Sequence, residues 1–300
     1  MPYLCSRIKA IRHTEDMNKR IHFTKMHGAG NDYIYVYTPD FPIPDPSLAS
    51  IEWSKQHFGI GSDGLILVGK SPVTEADFSM RIFNNDGSEA LMCGNGVRCV
   101  AKFVYDHRLT SKTTVAIDTL SGIKVIRLHP DADGQVNSAT VDMGTPVLSA
   151  RNLLSTPDGS MTEGTVDGHT GTFVSMGNPH FVCFVPDVTS IDVAREGARL
   201  EHNPIFPERC NIEFVTVMPD GTLRMRVWER GSGITLACGT GACATAVAAC
   251  LTGRRGRESR VEMDGGTLEI EWNQENGHVL MTGPAATAFE GEVLLPSANH

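Results

Sequence analysis

Two eight-residue stretches constrain this chain more than anything else in it. Met92-Cys93-Gly94-Asn95-Gly96-Val97-Arg98-Cys99 and Ala237-Cys238-Gly239-Thr240-Gly241-Ala242-Cys243-Ala244 each set a Cys-Gly-X-Gly turn directly before a run of helix-forming, mostly apolar residues. Aligning Cys93 with Cys238 brings their neighbours into register: Arg81-Ile82-Phe83-Asn84-Asn85 falls over Arg226-Val227-Trp228-Glu229-Arg230, and Leu91 over Leu236. Farther upstream, Gly30-Asn31 before a strand pattern matches Gly177-Asn178 before His180-Phe181-Val182. The separation is 62 residues from Asn31 to Cys93 and 60 from Asn178 to Cys238. A match of such long period implies two similarly folded halves. A pseudo-twofold relation would bring the two cysteines to equivalent places facing one cleft.

A helix N-terminus leaves backbone N–H groups without intrahelical partners and carries partial positive charge. Both effects favour an anion, so a thiol there is expected to have its pKa drawn toward neutrality. The glycines let a ligand approach the bare amides. A carboxylate held between two such ends would have its α-carbon flanked by one sulfur on each face. That arrangement suits proton removal on one side and donation on the other, which inverts a stereocentre, and acid–base groups serve best with pKa values near the working pH.

Three other uses of the thiols compete. Zinc ligands come as closely spaced pairs, whereas Cys93 and Cys99 lie about 240° apart around a helix and face away from each other. A redox pair is disfavoured because neither stretch has the Cys-x-x-Cys spacing of a dedicated oxidoreductase. Structural burial suits Cys99, Cys243 and Cys250 but not Cys93 and Cys238, which precede their helices. The eight cysteines are spread through 300 residues with no apolar core or cleavage site in the first twenty. This predicts reduced thiols in a cytoplasmic protein without a secretory signal. A net charge of −9 argues against nucleic acid or an anionic membrane surface as partner, and no apolar run reaches the ~20 residues that span a bilayer.

The pattern along the chain predicts a strand, a glycine turn and a strand over 21–37, then a helix over 48–58. Gly59-Ile60-Gly61-Ser62-Asp63-Gly64 has the letters of a dinucleotide fingerprint, but that motif needs a strand before it and a helix after it. Here the order is reversed, with a strand over 65–68, so the dinucleotide reading fails. Strands are predicted over 78–83, 113–120, 122–128, 139–143, 172–176, 181–185, 212–217, 223–228, 260–263, 267–272, 279–282 and 288–294. Helices are expected from Cys93 to about residue 107, over 191–200, and from Cys238 to about 251. Many strands, few helices and no βαβ alternation give an α+β class. Residues 1–20 read as a loosely attached extension, with Met17 as a second possible start.

These motifs closely resemble those of the diaminopimelate epimerase family. The resemblance is carried by Met26-His27-Gly28-Ala29-Gly30-Asn31-Asp32-Tyr33, Phe83-Asn84-Asn85-Asp86-Gly87-Ser88-Glu89, the two cysteine stretches, Gly177-Asn178-Pro179-His180 and Trp228-Glu229-Arg230-Gly231. It covers about residues 21–295. The related proline and hydroxyproline racemases would show a His after the first Cys-Gly, where this chain has Asn95.

The resemblance implies a cofactor-independent epimerase interconverting LL- and meso-diaminopimelate, on the route to lysine and peptidoglycan, with no metal. It also implies two pseudo-symmetric domains, each a mostly antiparallel sheet wrapped around a central helix: residues 21–138 with 284–296 returning to them, and residues 139–283, followed by a tail at 297–300. Cys93 and Cys238 would be the two bases. Gly94, Asn95, Gly239 and Thr240 would offer backbone amides to the reacting carboxylate, with Asn31 and Glu229 near the reacting centre. Asn84, Asn178, Asn211 and Arg230 would hold the distal end, and the family suggests a homodimer. His27 reads as structural and His180 as either a loop support or a substrate contact. Several relatives carry Gln where this chain has Gly64.

Overall fold

The computed structural model describes residues 19–296. The reading of an N-terminal extension, with Met17 as a start, lies outside them except at its last residues, and so does the tail at 297–300. The chain divides into two compact units. Among the described residues the first comprises 19–28, 32–125 and 285–296, and the second 29–31 and 126–284. The boundary falls between Val125 and Ile126, upstream of the division read from sequence.

In the first unit, β1 (Arg20–Gly28) pairs antiparallel with β18 (Ala286–Leu294), so the last strand joins the first. β1 also pairs with β2 (Asn31–Tyr37), which runs parallel to β3 (Gly64–Lys70). β3 is antiparallel to β4 (Phe78–Asn84), which carries the short β5 (Glu89–Ala90) and lies parallel to β6 (Thr114–Asp118). The parallel step from β2 to β3 needs a crossover, supplied by α1 (Pro46–Ser54). The Asp45 side chain accepts from the Leu48 amide at 3.0 Å, and Pro46, whose missing N–H is no loss there, opens the helix. α1 starts and stops earlier than its sequence pattern predicts. The chain doubles back after Lys55, and the Ile60 amide donates to the Trp53 carbonyl at 2.7 Å. Ile21, Ile34, Trp53, Leu65 and Phe83 pack into one core beneath it.

The second unit repeats this plan. β9 (Gly164–Val166) and β11 (Pro179–Phe184) flank β10 (His169–Ser175), and β11 runs parallel to β12 (Asn211–Val217). α3 (Val193–Glu201) makes the crossover, preceded by a 3-10 turn at Val188–Ser190. β12 is antiparallel to β13 (Leu223–Glu229), which carries the short β14 (Gly233–Thr235) and lies parallel to β15 (Glu258–Met263). β15, β16 (Gly266–Trp272), β17 (Val279–Pro284), β8 (Val136–Asp142) and β7 (Lys124–Pro130) then follow in antiparallel order. The duplication read from the motifs is therefore a duplication of topology. The short strands β5, β9 and β14, of two or three residues, are too brief to show a sequence period and were not expected.

Each unit holds one thirteen-residue helix, α2 (Gly94–Asp106) or α4 (Gly239–Leu251). In α4 residues 241–249 are all buried and none is larger than Val or Thr, so strands β10 to β13 and β15 to β17 contact it. α2 packs on β1 and β6 and buries residues 95–104, including the charged Arg98 and Lys102. Among the described residues no helix is long and apolar enough to cross a membrane.

α3 is tied to β10 through Glu196, whose Oε2 lies 3.0 Å from His169 Nε2 and accepts from Arg199 Nη2 at 2.6 Å. These contacts, Arg199 first, draw the carboxyl from its ordinary 4.5 down to about 2. A depressed carboxyl stabilises the fold above its unfolded value and stops doing so as pH falls through its folded one. Glu196→Gln is therefore expected to lower the urea midpoint at neutral pH. The deficit should close as pH falls from about 4.5 to about 2, read by denaturation at stepped pH.

Candidate active site

The helices start three residues earlier than a glycine turn ahead of them would allow. Cys93 is the N-cap of α2 and Cys238 the N-cap of α4, so the glycines form the first helical turn instead of preceding it. Cys93 has φ −136° and ψ 117°, and Cys238 has φ −129° and ψ 109°, two near-identical extended conformations. In each, the sulfur takes the place usually held by a Ser, Thr, Asp or Asn oxygen. Cys93 Sγ accepts from the Gly96 amide at 3.3 Å, and Cys238 Sγ from the Gly241 amide at 3.4 Å.

Glycine at that third position keeps the helix end clear of the strand side chain beneath it. A Cβ on Gly96 would lie 2.8 Å from Ile66 Cδ1, and one on Gly241 would lie 2.7 Å from Glu213 Oε1 and 3.2 Å from Cys238 Sγ. Ile66 is the third residue of β3 and Glu213 the third of β12. The two half-sites thus share one backbone plan but differ in what stands under the helix end.

Next to Cys93 the first turn of α2 is braced by a buried cation. Asn95, 3 % exposed, accepts from Arg98 Nη2 at 2.8 Å, and Arg98 Nη1 reaches the Gly94 carbonyl at 3.3 Å. Tyr35 donates to the Gly96 carbonyl at 3.3 Å, and its hydroxyl pKa is pushed well up by burial, with Cys99 and Cys93 adding to it. Asn84, at the end of β4, donates to Ser88 Oγ at 3.0 Å.

Around Cys238 the environment is acidic. Burial pushes this thiol well above its ordinary value, and Glu229 and Glu213 push it further. The Thr240 hydroxyl and the Gly241 amide act against that shift. The helix end alone predicted a thiol drawn toward neutrality; at Cys238 desolvation and two nearby carboxylates override it, so this cysteine rests as a thiol. Thr240 Oγ1 lies 3.6 Å from the sulfur and accepts from Asn178 Nδ2 at 3.3 Å. Glu229 closes β13 and accepts from Thr235 Oγ1.

Asn211, at the start of β12, has its side chain committed inside the fold. It donates to the Pro179 carbonyl at 2.8 Å and accepts from the Arg230 amide at 2.9 Å, while Arg230 Nη1 holds the Glu208 carbonyl at 2.8 Å. Gly239 opens α4 and Asn31 opens β2. The second unit therefore gathers Cys238, Thr240, Asn178 and Glu229 around one sulfur, and Asn211 around Arg230. The first gathers Cys93, Gly94 and Asn95 around one helix end.

Three residues not singled out by sequence belong to these half-sites: Arg98, Tyr35 and Glu213. Arg98 and Glu213 carry a signal, since each is a charge inside an apolar run. His180 is settled as a buried support, fully enclosed, with Nδ1 2.7 Å from Glu213 Oε1. His27 lies on β1 with Nδ1 unpartnered among the described residues. A side chain at Gly64 would collide with the Phe83 carbonyl and stand 3.0 Å from the Tyr33 ring, so this chain has no room for the Gln found in some relatives.

Burial raises Cys99 to about 11 and pushes Cys183 and Cys210 up as well. Among the described residues no three His, Cys, Asp or Glu side chains come together as a metal would need. Because Gly241 sits against both Glu213 and the sulfur, Gly241→Ala is expected to lower stability by about 1–3 kcal/mol through overpacking. Gly256→Ala, at a position with open space around it, should stay within about 0.5 kcal/mol. Urea midpoints of the two variants check this.

Comparison with known proteins bears on the family and the fold. A family model described as "Diaminopimelate epimerase" matches residues 23–149 and 172–288. Diaminopimelate epimerase of Phocaeicola vulgatus is 57 % identical over 281 residues, covering 92 % of this chain and 99 % of the relative. That of Methanococcus maripaludis is 49 % identical over 279 residues, covering 90 % and 99 %. Among solved structures, a hydroxyproline epimerase from Agrobacterium vitis superposes with a TM-score of 0.68 at 14 % identity, covering 94 % of each chain. A phenazine biosynthesis protein of the PhzF family from Bacillus anthracis gives 0.66 at 16 %, covering 92 % and 99 %. These distant structures share the two-domain α+β fold. With most of its length matched by one family model and by close relatives of the same name, the chain belongs to the diaminopimelate epimerase family.

Proposed function

We propose that this chain interconverts LL- and meso-diaminopimelate by a two-base mechanism, serving lysine and peptidoglycan precursor synthesis. The observation that carries the reading is the pair of sulfurs, each capping the N-terminus of its unit's central helix in the same conformation. One thiolate removes the α-proton, and the other group, as a thiol, returns a proton to the opposite face. The reverse reaction exchanges the roles. Cys238, held as a thiol by burial and its acidic neighbours, is the donor in the resting enzyme, which leaves Cys93 as the base.

The remaining amides of the two first turns, at Gly94, Asn95, Gly239 and Thr240, bind the α-carboxylate. That charge complements the partial positive charge of a helix start. Holding the carboxylate acidifies the α-carbon, and this stabilisation stands in for a cofactor's electron sink. Glu229 takes the α-ammonium and Asn31 lies beside it. Asn84, Asn178, Asn211 and Arg230 hold the distal amino-acid end, where the Arg guanidinium suits a carboxylate. Asn211, buried and bonded to the Arg230 main-chain N–H, would serve the distal end by fixing the backbone that carries Arg230. Cytoplasmic location and a homodimer complete the reading. Phe289 on β18 is about half exposed, at 48 %, an apolar side chain that a second copy would cover.

Incubation with LL-diaminopimelate in deuterated water should place deuterium at the α-carbon and yield the meso isomer, read by mass shift and chiral separation. Cys93→Ala and Cys238→Ala should each lower turnover by roughly 10²–10⁴-fold, the usual share of an acid–base group, with the circular dichroism spectrum unchanged. Full turnover in either variant would overturn the two-base mechanism. Turnover of proline or hydroxyproline in place of diaminopimelate would assign the chain to the related racemases.

A further inference from the structure

Beneath the start of α4 lies a polar pair with no counterpart among the described residues of the first unit. His180 and Glu213 are both fully buried, with Nδ1 and Oε1 2.7 Å apart, and Glu213 Oε2 has no hydrogen-bond partner among the described residues. In the first unit the position of Glu213 is held by Ile66, which meets the equivalent helix glycine from the same side. An aliphatic side chain therefore satisfies the packing there. Burying a charged or polar pair instead is costly and often no more stabilising than an apolar replacement, so the pair invites an explanation beyond the core.

A continuous hydrogen-bonded path leads from it to the catalytic sulfur. His180 Nε2 lies 3.1 Å from Asn178 Oδ1, Asn178 Nδ2 lies 3.3 Å from Thr240 Oγ1, and Thr240 Oγ1 lies 3.6 Å from Cys238 Sγ. We propose that Glu213 is a positioning residue which, through His180 and Asn178, fixes the Thr240 hydroxyl as a hydrogen-bond donor to the Cys238 sulfur. The inference rests on the reading of Cys238 as an acid–base group.

The direction of the path follows from charge. If the pair lacked a proton it would be a net buried anion, with one carboxylate oxygen unsolvated and Glu229 nearby, the costly state for such a site. With one shared proton it is neutral overall, whether written as carboxylic acid with imidazole or as carboxylate with imidazolium. Either form leaves a hydrogen on His180 Nε2. That hydrogen must meet an acceptor, so Asn178 turns Oδ1 toward the ring and Nδ2 toward Thr240. The Thr240 oxygen then receives a hydrogen bond, and its own hydrogen is left for the sulfur. Burial raises the Glu213 carboxyl, in keeping with a retained proton.

The groups facing Cys238 then divide by effect. Glu229 at the end of β13 and the Glu213 carboxyl on β12 oppose the thiolate, while the Thr240 hydroxyl and the Gly241 amide on α4 favour it. In α2 the place of Thr240 is taken by Asn95, which accepts from Arg98. The relay therefore lets a thiol surrounded by acid groups still become a thiolate when the reaction runs from the other isomer.

The test is the pH profile of alkylation at Cys238 in the full-length enzyme without substrate, using iodoacetamide and peptide mapping to separate this cysteine from the others. Thr240→Val removes the hydroxyl and keeps the backbone amide. It should move the profile to higher pH and slow alkylation at a fixed pH roughly tenfold, the low end for a hydrogen bond to a charged group. Thr240→Ser should restore it. Glu213→Gln, which cannot share a proton and so frees the His180 tautomer, should shift the profile the same way and add nothing in the Thr240→Val background, as expected for residues acting through one path. An unchanged profile in Thr240→Val overturns the proposal. So does an unchanged or lower-pH profile in Glu213→Gln, the lower-pH case being that of a carboxylate acting on the sulfur by charge alone. None of these readouts requires turnover, so they separate from the fate of the two-base mechanism, which Cys238→Ala tests.

Discussion

The sulfur-to-amide cap at the start of each central helix is the contact on which the rest of each half-site depends. It places a nucleophilic atom within reach of an otherwise unpaired N–H and leaves the neighbouring amides of the first turn for a ligand. For this to work the third helical residue must lack a side chain, since Gly96 and Gly241 each meet a strand residue beneath them. The helix must also be fixed, which burial of residues 95–104 and 241–249 achieves. Sheet, helix and sulfur are thus set by one packing constraint applied twice.

The two applications were then made chemically unequal. The buried charge in the first turns of α2 is Arg98, held by Asn95 and the Gly94 carbonyl; beside Cys238 stand the carboxyls of Glu229 and Glu213. The proposed assignment of Cys93 as base and Cys238 as acid rests on this difference in side chains, since the backbone of the two caps is nearly the same. β12 and β3 have the same place in the topology, yet Glu213 stands where Ile66 does. Duplication gave the geometry, and substitution at a few buried positions gave the polarity.

Much of this was legible from the residues. The helices after Cys93 and Cys238 end within a residue of where their patterns stop, because a long apolar run after a capping position is a strong local signal. The repeat was visible because β4 with α2 and β13 with α4 kept their spacing. What escaped were features decided by distant neighbours. α1 ends at Ser54 because the following loop returns to hydrogen-bond the helix end, which no periodicity encodes. The raised Cys238 thiol could not be read from a helix N-terminus, since its causes are burial and carboxylates on other strands. Glu213 was a lone acid inside Asn211-Ile212-Glu213-Phe214-Val215, and its meaning appeared only once β11 brought His180 beside it.

The pairing of β1 with β18, from Arg20 opposite Leu294 to His27 opposite Ala286, has a consequence for how the molecule is made. β1 waits for a strand more than 250 residues downstream, the most non-local strand pairing among the described residues, and such contacts are slow to close. During synthesis the second unit can complete its sheet while the first still has an open edge along β1. An unpaired edge is the kind of surface that recruits stray strands. The nascent protein is thus most exposed to aggregation on the side translated first, and β18 closes that side last.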